Sequence, residues 1–120
     1  MAKNLEISVL LDFYGDMLTE KQRDVVELYY NEDLSLGEIA ENEGITRQGV
    51  RDSIKRAEAQ MLEMEERLGL AQKFRQISRG LEEIKDAANE IGLYCEKYVF
   101  SREIYDRAKK ISEIASQLEA

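Results

Sequence analysis

Residues 35–56 read SLGEIAENEGITRQGVRDSIKR. Ser35 followed three positions later by Glu38 is a capping box, which predicts that a short helix begins here. Gly44 can adopt the left-handed conformation that a sharp turn between two helices requires, and Thr46 is a typical N-cap for the helix that follows. The stretch therefore predicts a helix-turn-helix motif.

The second helix of this motif carries a strip of cations. At about 100° per residue, Arg47, Arg51 and Lys55 fall within about 80° of one another around the helix axis. In DNA-binding helix-turn-helix proteins this helix enters the major groove, where Arg pairs with guanine and Gln pairs with adenine. A capping residue and the free amides at the helix N-terminus can hold a phosphate. The predicted nucleic-acid-binding residues are Thr46, Arg47, Gln48, Arg51, Lys55 and Arg56.

The charge of the chain argues against strong binding of a polyanion. The net charge is −8, and Asp52 lies beside the cationic strip. Residues 1–70 hold 16 acidic and 8 basic side chains, whereas residues 71–120 hold 9 of each. Because salt screens charges over about 8 Å, a local patch of cations can still act on its own. We expect any binding to be weak, and the alternative is that the cations only solvate the exposed face of a scaffold helix.

Caps and apolar spacing predict further helices on both sides of the motif. Residues 5–17 have the spacing of an amphipathic helix, and a second helix begins at the capping box of Thr19 and ends near Asn31. The helix that follows the turn is expected to run to Leu68, because Gly69 is a typical C-terminal stop. Four helices are therefore expected in the first part of the chain.

Residues 71–120 have the pattern of a helical hairpin. Apolar residues recur every three or four positions over 74–98 and again over 104–118, and Ser101 is the expected cap of the second helix. These apolar rows exceed what one small body needs. We therefore expect the protein to be a homodimer, and the hairpin either to pack on residues 1–70, as one structural unit with them, or to be used in dimerisation.

The composition excludes several classes of function. The chain has no His, no Trp and no Pro, and its single Cys is Cys95, so a His-based triad, a Cys/His zinc site and a disulfide framework are excluded. We expect no enzyme activity, no cofactor and no metal site. No apolar run approaches 18 residues and the N-terminus lacks a leader pattern, which predicts a cytoplasmic protein without a membrane span.

Three short segments resemble known proteins. The segments LTEKQR at 18–23, LSLGEIA at 34–40 and ITRQGV at 45–50 resemble the promoter-reading C-terminal domain of bacterial sigma factors. With TRQGVRDSIKR at 46–56 and the helical tail, the chain is more closely similar to the YlxM family of small bacterial helix-turn-helix proteins. The fold that this implies is all-α, a sigma-factor-like helix-turn-helix bundle with a long fourth helix and a C-terminal helical hairpin.

The resemblance to the YlxM family also implies a function. It implies a DNA-binding regulatory protein associated with the signal recognition particle pathway, because the genes of this family typically lie beside those for the protein of that particle or for its receptor. The implied partners are nucleic acid, DNA rather than RNA, and components of the particle. The alternative is a protein-binding or RNA-associated adaptor of that pathway, in which the helix-turn-helix is a scaffold.

Overall fold

A computed structural model describes residues 2–119 of the chain, and the regular structure in this range is helical, without a strand. A single 3-10 turn, Gly15–Met17, follows the first helix. The α-helices are α1 Glu6–Tyr14, α2 Glu20–Tyr30, α3 Leu36–Glu43, α4 Arg47–Leu68, α5 Leu70–Lys97 and α6 Arg102–Leu118. The predicted all-α class, the long fourth helix and the C-terminal pair of helices are confirmed. Within the described range, the helices are too short or too polar to span a membrane.

The chain divides into two compact units, Met1–Ala71 and Gln72–Ala120. We call them the N-terminal unit and the hairpin unit. Ala71 is uncharged, so the whole acidic excess of the chain belongs to the N-terminal unit.

Helix α4 is the central element of the N-terminal unit, because α1, α2 and α3 all pack on it. Helix α4 buries Val50 and Ile54 against α2 and α3, and farther along it buries Ala57 and Met61 against α1 and α2. The other fully or nearly fully buried apolar residues of these two clusters are Ile7, Leu10, Leu11, Tyr14, Leu18, Val25, Val26, Tyr29, Ile39, Ala40 and Ala71. One long helix therefore joins two core clusters.

The helix ends follow the predicted capping chemistry. Both capping boxes are formed, at the start of α2 by Thr19 and at the start of α3 by Ser35. Ser101 accepts a hydrogen bond from the amide of Ile104 and caps α6. Gly69 ends α4 in the left-handed conformation, with φ of 63°. These local sequence signals define the helix boundaries.

The prediction for the first helix is wrong at its C-terminal end. Helix α1 ends at Tyr14, because the chain tightens into the 3-10 turn at Gly15. This change of helical pitch rotates the following side chains, and Met17, which the spacing placed on the apolar face, is 64% exposed. Leu18 instead enters the core.

A hydrogen-bond cluster of the N-terminal unit lies where α4 ends and α5 begins. The phenol of Tyr14 donates to Oε1 of Glu65 at 2.6 Å, and the amide of Leu70 donates to the Tyr14 oxygen at 3.2 Å. The amide of Ala71 donates to Oε1 of Glu65 at 3.0 Å. Burial, together with the hydrogen bond to Glu65, raises the pKa of Tyr14 above its ordinary value. The first amides of α5 therefore receive acceptors from α1 and α4.

Candidate nucleic-acid interface

The turn between α3 and α4 is held by hydrogen bonds at both ends. Gly44 has the predicted left-handed conformation, with φ of 69°, and its amide donates to the carbonyl oxygen of Ala40. The amide of Ile45 donates to the same oxygen at 3.1 Å, and the Ile45 side chain packs against the core. Thr46 then caps α4 by accepting a hydrogen bond from the amide of Gly49 at 3.0 Å. The predicted helix-turn-helix motif is thus formed.

The predicted binding residues lie at the N-cap and in the first three turns of α4, where Arg47, Gln48, Arg51 and Lys55 share one side and Arg56 lies about 180° around the helix from Arg47. We call this set the α4 strip, and it consists of Thr46, Arg47, Gln48, Arg51, Lys55 and Arg56, all of them exposed. The inward face of the same helix carries Val50 and Ile54, which are fully buried. The buried face fixes the helix to the unit, so the strip is presented by a rigid element.

The cations of the strip differ in their pairing from other cations of the N-terminal unit. Lys3 pairs with Asp33, Arg23 pairs with both Asp16 and Glu27, and Arg67 pairs with Glu63. Within residues 2–119, the side chains of Arg47, Arg51, Lys55 and Arg56 form no salt bridge. An incoming phosphate therefore meets cationic groups without displacing a salt-bridged carboxylate from any of them.

The guanidinium of Arg47 lies over the first turn of α3. A methyl group placed on Gly37 would lie 3.0 Å from Nη2 and 3.1 Å from Nε of Arg47. The absence of a side chain at Gly37 thus gives the guanidinium room to rest against this turn. Sequence reasoning missed the role of Gly37, because nothing in the local pattern indicates which side chain passes over it.

Gln48 is engaged within its own helix. Its Nε2 donates to Oδ1 of Asp52 at 2.9 Å, one turn farther along α4. Reading an adenine through the Gln48 amide requires breaking this bond or sharing the amide group. Asp52 also places a negative charge beside the strip, so the structure limits the predicted contribution of Gln48 more than that of the arginines.

Gly49 is explained by the capping contact. A glycine inside a helix costs about 1 kcal/mol relative to alanine, which suggests close approach of a neighbouring group. The nearest group to a Cβ at this position would be Oγ1 of Thr46, at 3.2 Å, followed by the side chain of Ile45. The neighbour is the capping hydroxyl rather than another backbone, so Gly49 leaves space for the cap.

The first turn of α4 also offers backbone donors. The amides of Arg47 and Gln48 have no hydrogen-bond acceptor in the part of the chain that the structure describes. The Thr46 hydroxyl accepts one hydrogen bond and keeps its own hydrogen for donation. These three donors surround the positive end of the helix dipole, an arrangement that accommodates an anionic oxygen.

The strip is bordered by a half-buried carboxylate. Burial raises the pKa of Glu58, while its hydrogen bond with Tyr30 and the nearby charge of Lys55 act in the opposite direction. The Tyr30 oxygen also accepts a hydrogen bond from the amide of Asn4 at 3.3 Å. Sequence reasoning did not identify this border, because it joins α2, α4 and the segment before α1.

A left-handed glycine turn, a capped second helix and a buried inner face define a helix-turn-helix protein of the all-helical class. A family described as "Putative helix-turn-helix protein, YlxM / p13 like" matches residues 1–92 of the chain. The chain belongs to this family, as the resemblance in the sequence implied.

Relatives of known sequence support the same membership. A UPF0122 protein of Desulforamulus reducens is 54% identical over 79 residues, which cover 66% of this chain and 68% of the relative. A UPF0122 protein of Acetivibrio thermocellus is 54% identical over 87 residues, or 72% of this chain and 74% of the relative. One from a Geobacillus species is 38% identical over 114 residues, which cover 95% of this chain and 98% of the relative. Similarity thus extends into the hairpin unit.

Proposed function

We propose that the protein binds duplex DNA through the α4 strip and acts as a cytoplasmic regulatory protein. The observation that carries the proposal is that Arg47, Arg51, Lys55 and Arg56 are exposed on one capped helix and form no salt bridge within residues 2–119. Membership of a helix-turn-helix family supports a binding role rather than catalysis.

The electrostatics make this binding weak and strongly dependent on salt. The N-terminal unit carries a charge of −8, which repels DNA at long range, so affinity depends on local contacts of the strip. If each of the four cations neutralises one phosphate, the logarithm of affinity falls with the logarithm of salt concentration with a slope of about −3.6 per protomer. Single-stranded RNA offers no regular groove for a helix, which is why duplex DNA is the proposed ligand.

The test is fluorescence anisotropy of labelled duplex DNA, and of RNA, over a salt series. Replacing Arg47, Arg51 and Lys55 by Ala leaves one cation in the strip, so we expect the slope for DNA to shrink to about −0.9 per protomer and affinity to fall accordingly. The matched control removes two arginines and one lysine from α6, at Arg102, Arg107 and Lys110, and leaves the slope near its original value. An equal loss of DNA affinity and an equal change of slope in both variants would mean that binding depends on the net charge of the chain and not on the α4 strip.

Arg51 alone distinguishes two kinds of contact. If Arg51 contacts a phosphate, Arg51→Ala reduces the magnitude of the slope by about one for every DNA sequence. If Arg51 reads a base, the slope changes less and the preference among sequences relaxes by about 1–3 kcal/mol.

A second candidate function is a protein adaptor, and the surface along α2 and α3 favours it. A groove there is lined by Leu28, Leu34, Glu38, Glu41 and Asn42. An adjoining depression adds Asp24, Glu27, Glu32 and Glu43. An apolar floor with acidic walls matches a basic amphipathic segment of a partner protein. Components of the signal recognition particle are the proposed partners, on the family resemblance alone.

Co-purification from cell extract, with and without nuclease, separates the two candidates. A DNA-binding protein loses its associated material after nuclease treatment, and the triple Ala variant of the strip loses it without nuclease. An adaptor keeps its partner in both cases and releases it when Glu38 and Glu41 are replaced by Gln. If the triple Ala variant retains a partner protein after nuclease treatment, the DNA-binding proposal is wrong and the adaptor proposal takes its place.

A further inference from the structure

The interior of the hairpin unit is made of small side chains. The residues of α5 and α6 that are nearly fully buried in this unit are Ala88, Cys95, Ala108 and Ala115. Two polar links also join the helices, Lys85 with Glu119 at 3.1 Å and the Ser112 hydroxyl with Oδ1 of Asn89 at 2.9 Å. Small residues let two helices approach closely, but they bury little apolar area.

The large aliphatic side chains of the hairpin unit lie outside this interior. Ile77, Ile84 and Ile91 recur every seven residues on α5, and Ile104, Ile111 and Leu118 recur every seven residues on α6. All six are between 44% and 63% exposed. Together they form what we call the aliphatic face.

The two rows lie on the same side of the hairpin. Ile84 and Ile91 each precede a buried small residue by four positions, Ala88 and Cys95 respectively. Ile104 and Ile111 likewise precede Ala108 and Ala115 by four positions. On each helix, the aliphatic residue is therefore displaced by the same angle, around the helix axis, from the small residue that contacts the other helix. Because both helices are right-handed and they run antiparallel, this equal displacement directs both rows toward the same side of the hairpin. The opposite side has a groove that is lined by Leu93, Tyr105 and small residues, with Asn89, Glu96 and Lys109 beside them.

The size of the aliphatic face fits a protein interface. Six large side chains, each about half exposed, present on the order of 600 Å² of apolar surface, at the upper limit for an ordinary monomer patch. Two such faces bury about 1,200 Å², which reaches the lower bound for a stable, specific complex. An exposed face of this size therefore has enough area for association with another body of similar shape.

The charge and the spacing favour a second copy of the chain as that body. The hairpin unit has nine acidic and nine basic side chains, so two hairpin units have no net charge with which to repel each other, and this unit offers a strongly charged partner no long-range attraction. Rows with a period of seven on two antiparallel helices are half of the core of a four-helix bundle. A two-fold axis through the face pairs aliphatic side chains with aliphatic side chains.

We propose that the aliphatic face is a homodimer interface, at which two hairpin units form a four-helix bundle. The small residues form the contact between α5 and α6 within one chain, and the large aliphatic residues form the contact between the hairpin units of two chains. The dimer carries two α4 strips, so DNA affinity gains from both when the ligand can reach them together. The dimer proposal stands independently of DNA binding, because it rests on the hairpin unit alone.

The test is the mass of the full chain in sedimentation equilibrium over a range of concentrations. We expect twice 13.9 kDa for the native sequence. Ile84→Glu places a charge in the proposed interface and is expected to raise the dissociation constant at least about a hundredfold. The matched control is Leu93→Glu, also on α5, which replaces a residue that is 56% exposed and lines the groove on the opposite side of the hairpin. We expect this control to stay dimeric.

A second variant covers the case in which Ile84→Glu fails to fold. Replacing Ile84 and Ile111 by Ala keeps good helix formers at both positions, and circular dichroism at the same concentration checks the helix content. We expect at least a tenfold rise in the dissociation constant with unchanged helicity. A native chain of 13.9 kDa at high concentration overturns the proposal. Dimers of undiminished stability in both variants also overturn it.

Discussion

The two units of the chain bury their apolar residues in different ways. The N-terminal unit encloses large side chains such as Tyr14, Ile54 and Met61, which are fully buried. The hairpin unit encloses Ala88 and Ala108 and leaves its isoleucines exposed. The first unit therefore completes a core within one chain, whereas the second has most of its large apolar surface available to a partner.

The charge follows the same division. The acidic excess belongs entirely to the N-terminal unit, where a few exposed cations without salt bridges stand on one helix. The hairpin unit is neutral and its exposed surface is rich in aliphatic groups. The proposed binding to a charged ligand and the proposed association through apolar contact thus involve separate parts of the chain.

The largest expected effect tests whether the first core is independent of association. Ile54→Ala removes a fully buried side chain and is expected to lower the free energy of unfolding by about 3 kcal/mol. Because this core is internal, the loss measured by urea unfolding should not depend on protein concentration. Ile111→Ala is the counterpart in the hairpin unit, and its cost should grow with concentration as the dimer forms. If the loss of unfolding free energy depended on protein concentration equally in both variants, the two cores would not differ in their dependence on association.

A smaller effect compares one glycine from each unit. Gly44→Ala forces a side chain into the left-handed conformation, with φ of 69°, and is expected to cost about 1–2 kcal/mol. A Cβ on Gly80, in the middle of α5, would have nothing within 4 Å, so Gly80→Ala should stabilise the chain by up to about 1 kcal/mol. Thermal unfolding of the two variants should therefore shift in opposite directions. A loss of stability in Gly80→Ala would reveal a contact at that position.

The smallest effect is a dependence on alkaline pH that belongs to the N-terminal unit. Burial raises the pKa of Tyr14 and of Tyr30, so the folded chain holds these protons more tightly than the unfolded chain. The resulting stability is fully present below the ordinary tyrosine pKa of 10.0 and is lost as the pH rises through the raised values. Urea unfolding at about pH 8 and about pH 11 measures the loss. Tyr14→Phe should reduce this dependence, and an unchanged dependence would assign it to other groups.

Local chemistry made much of the fold predictable from the sequence. The capping box of Thr19, the cap at Thr46 and the turn at Gly44 involve residues within three or four positions of one another. The α4 strip was predictable for the same reason, since helical periodicity alone places Arg47 and Arg51 on one side.

Contacts between distant residues were not predictable in this way. The packing of Arg47 over Gly37 and the hydrogen bond of Tyr14 with Glu65 depend on how helices are placed in space. In the hairpin unit, the row of buried small residues and the row of exposed aliphatic residues are adjacent on each helix. Apolar residues spaced three and four positions apart therefore give a single pattern in the sequence, which does not distinguish the two rows. The structure separates them because Ala88, and not Ile84, lies against the second helix.

The contact between Tyr14 and Glu65 has a consequence for synthesis of the protein. These residues are 51 positions apart, and the core around α1 also needs Ala57 and Met61. While the chain emerges from the ribosome, α1 therefore has no complete burial site until nearly all of α4 has been made. Contacts over such a span close slowly, whereas the neighbouring helices α3 and α4 pair over a short distance in sequence. Although α1 precedes the other helices of its unit in the sequence, it is thus among the last of them to be buried.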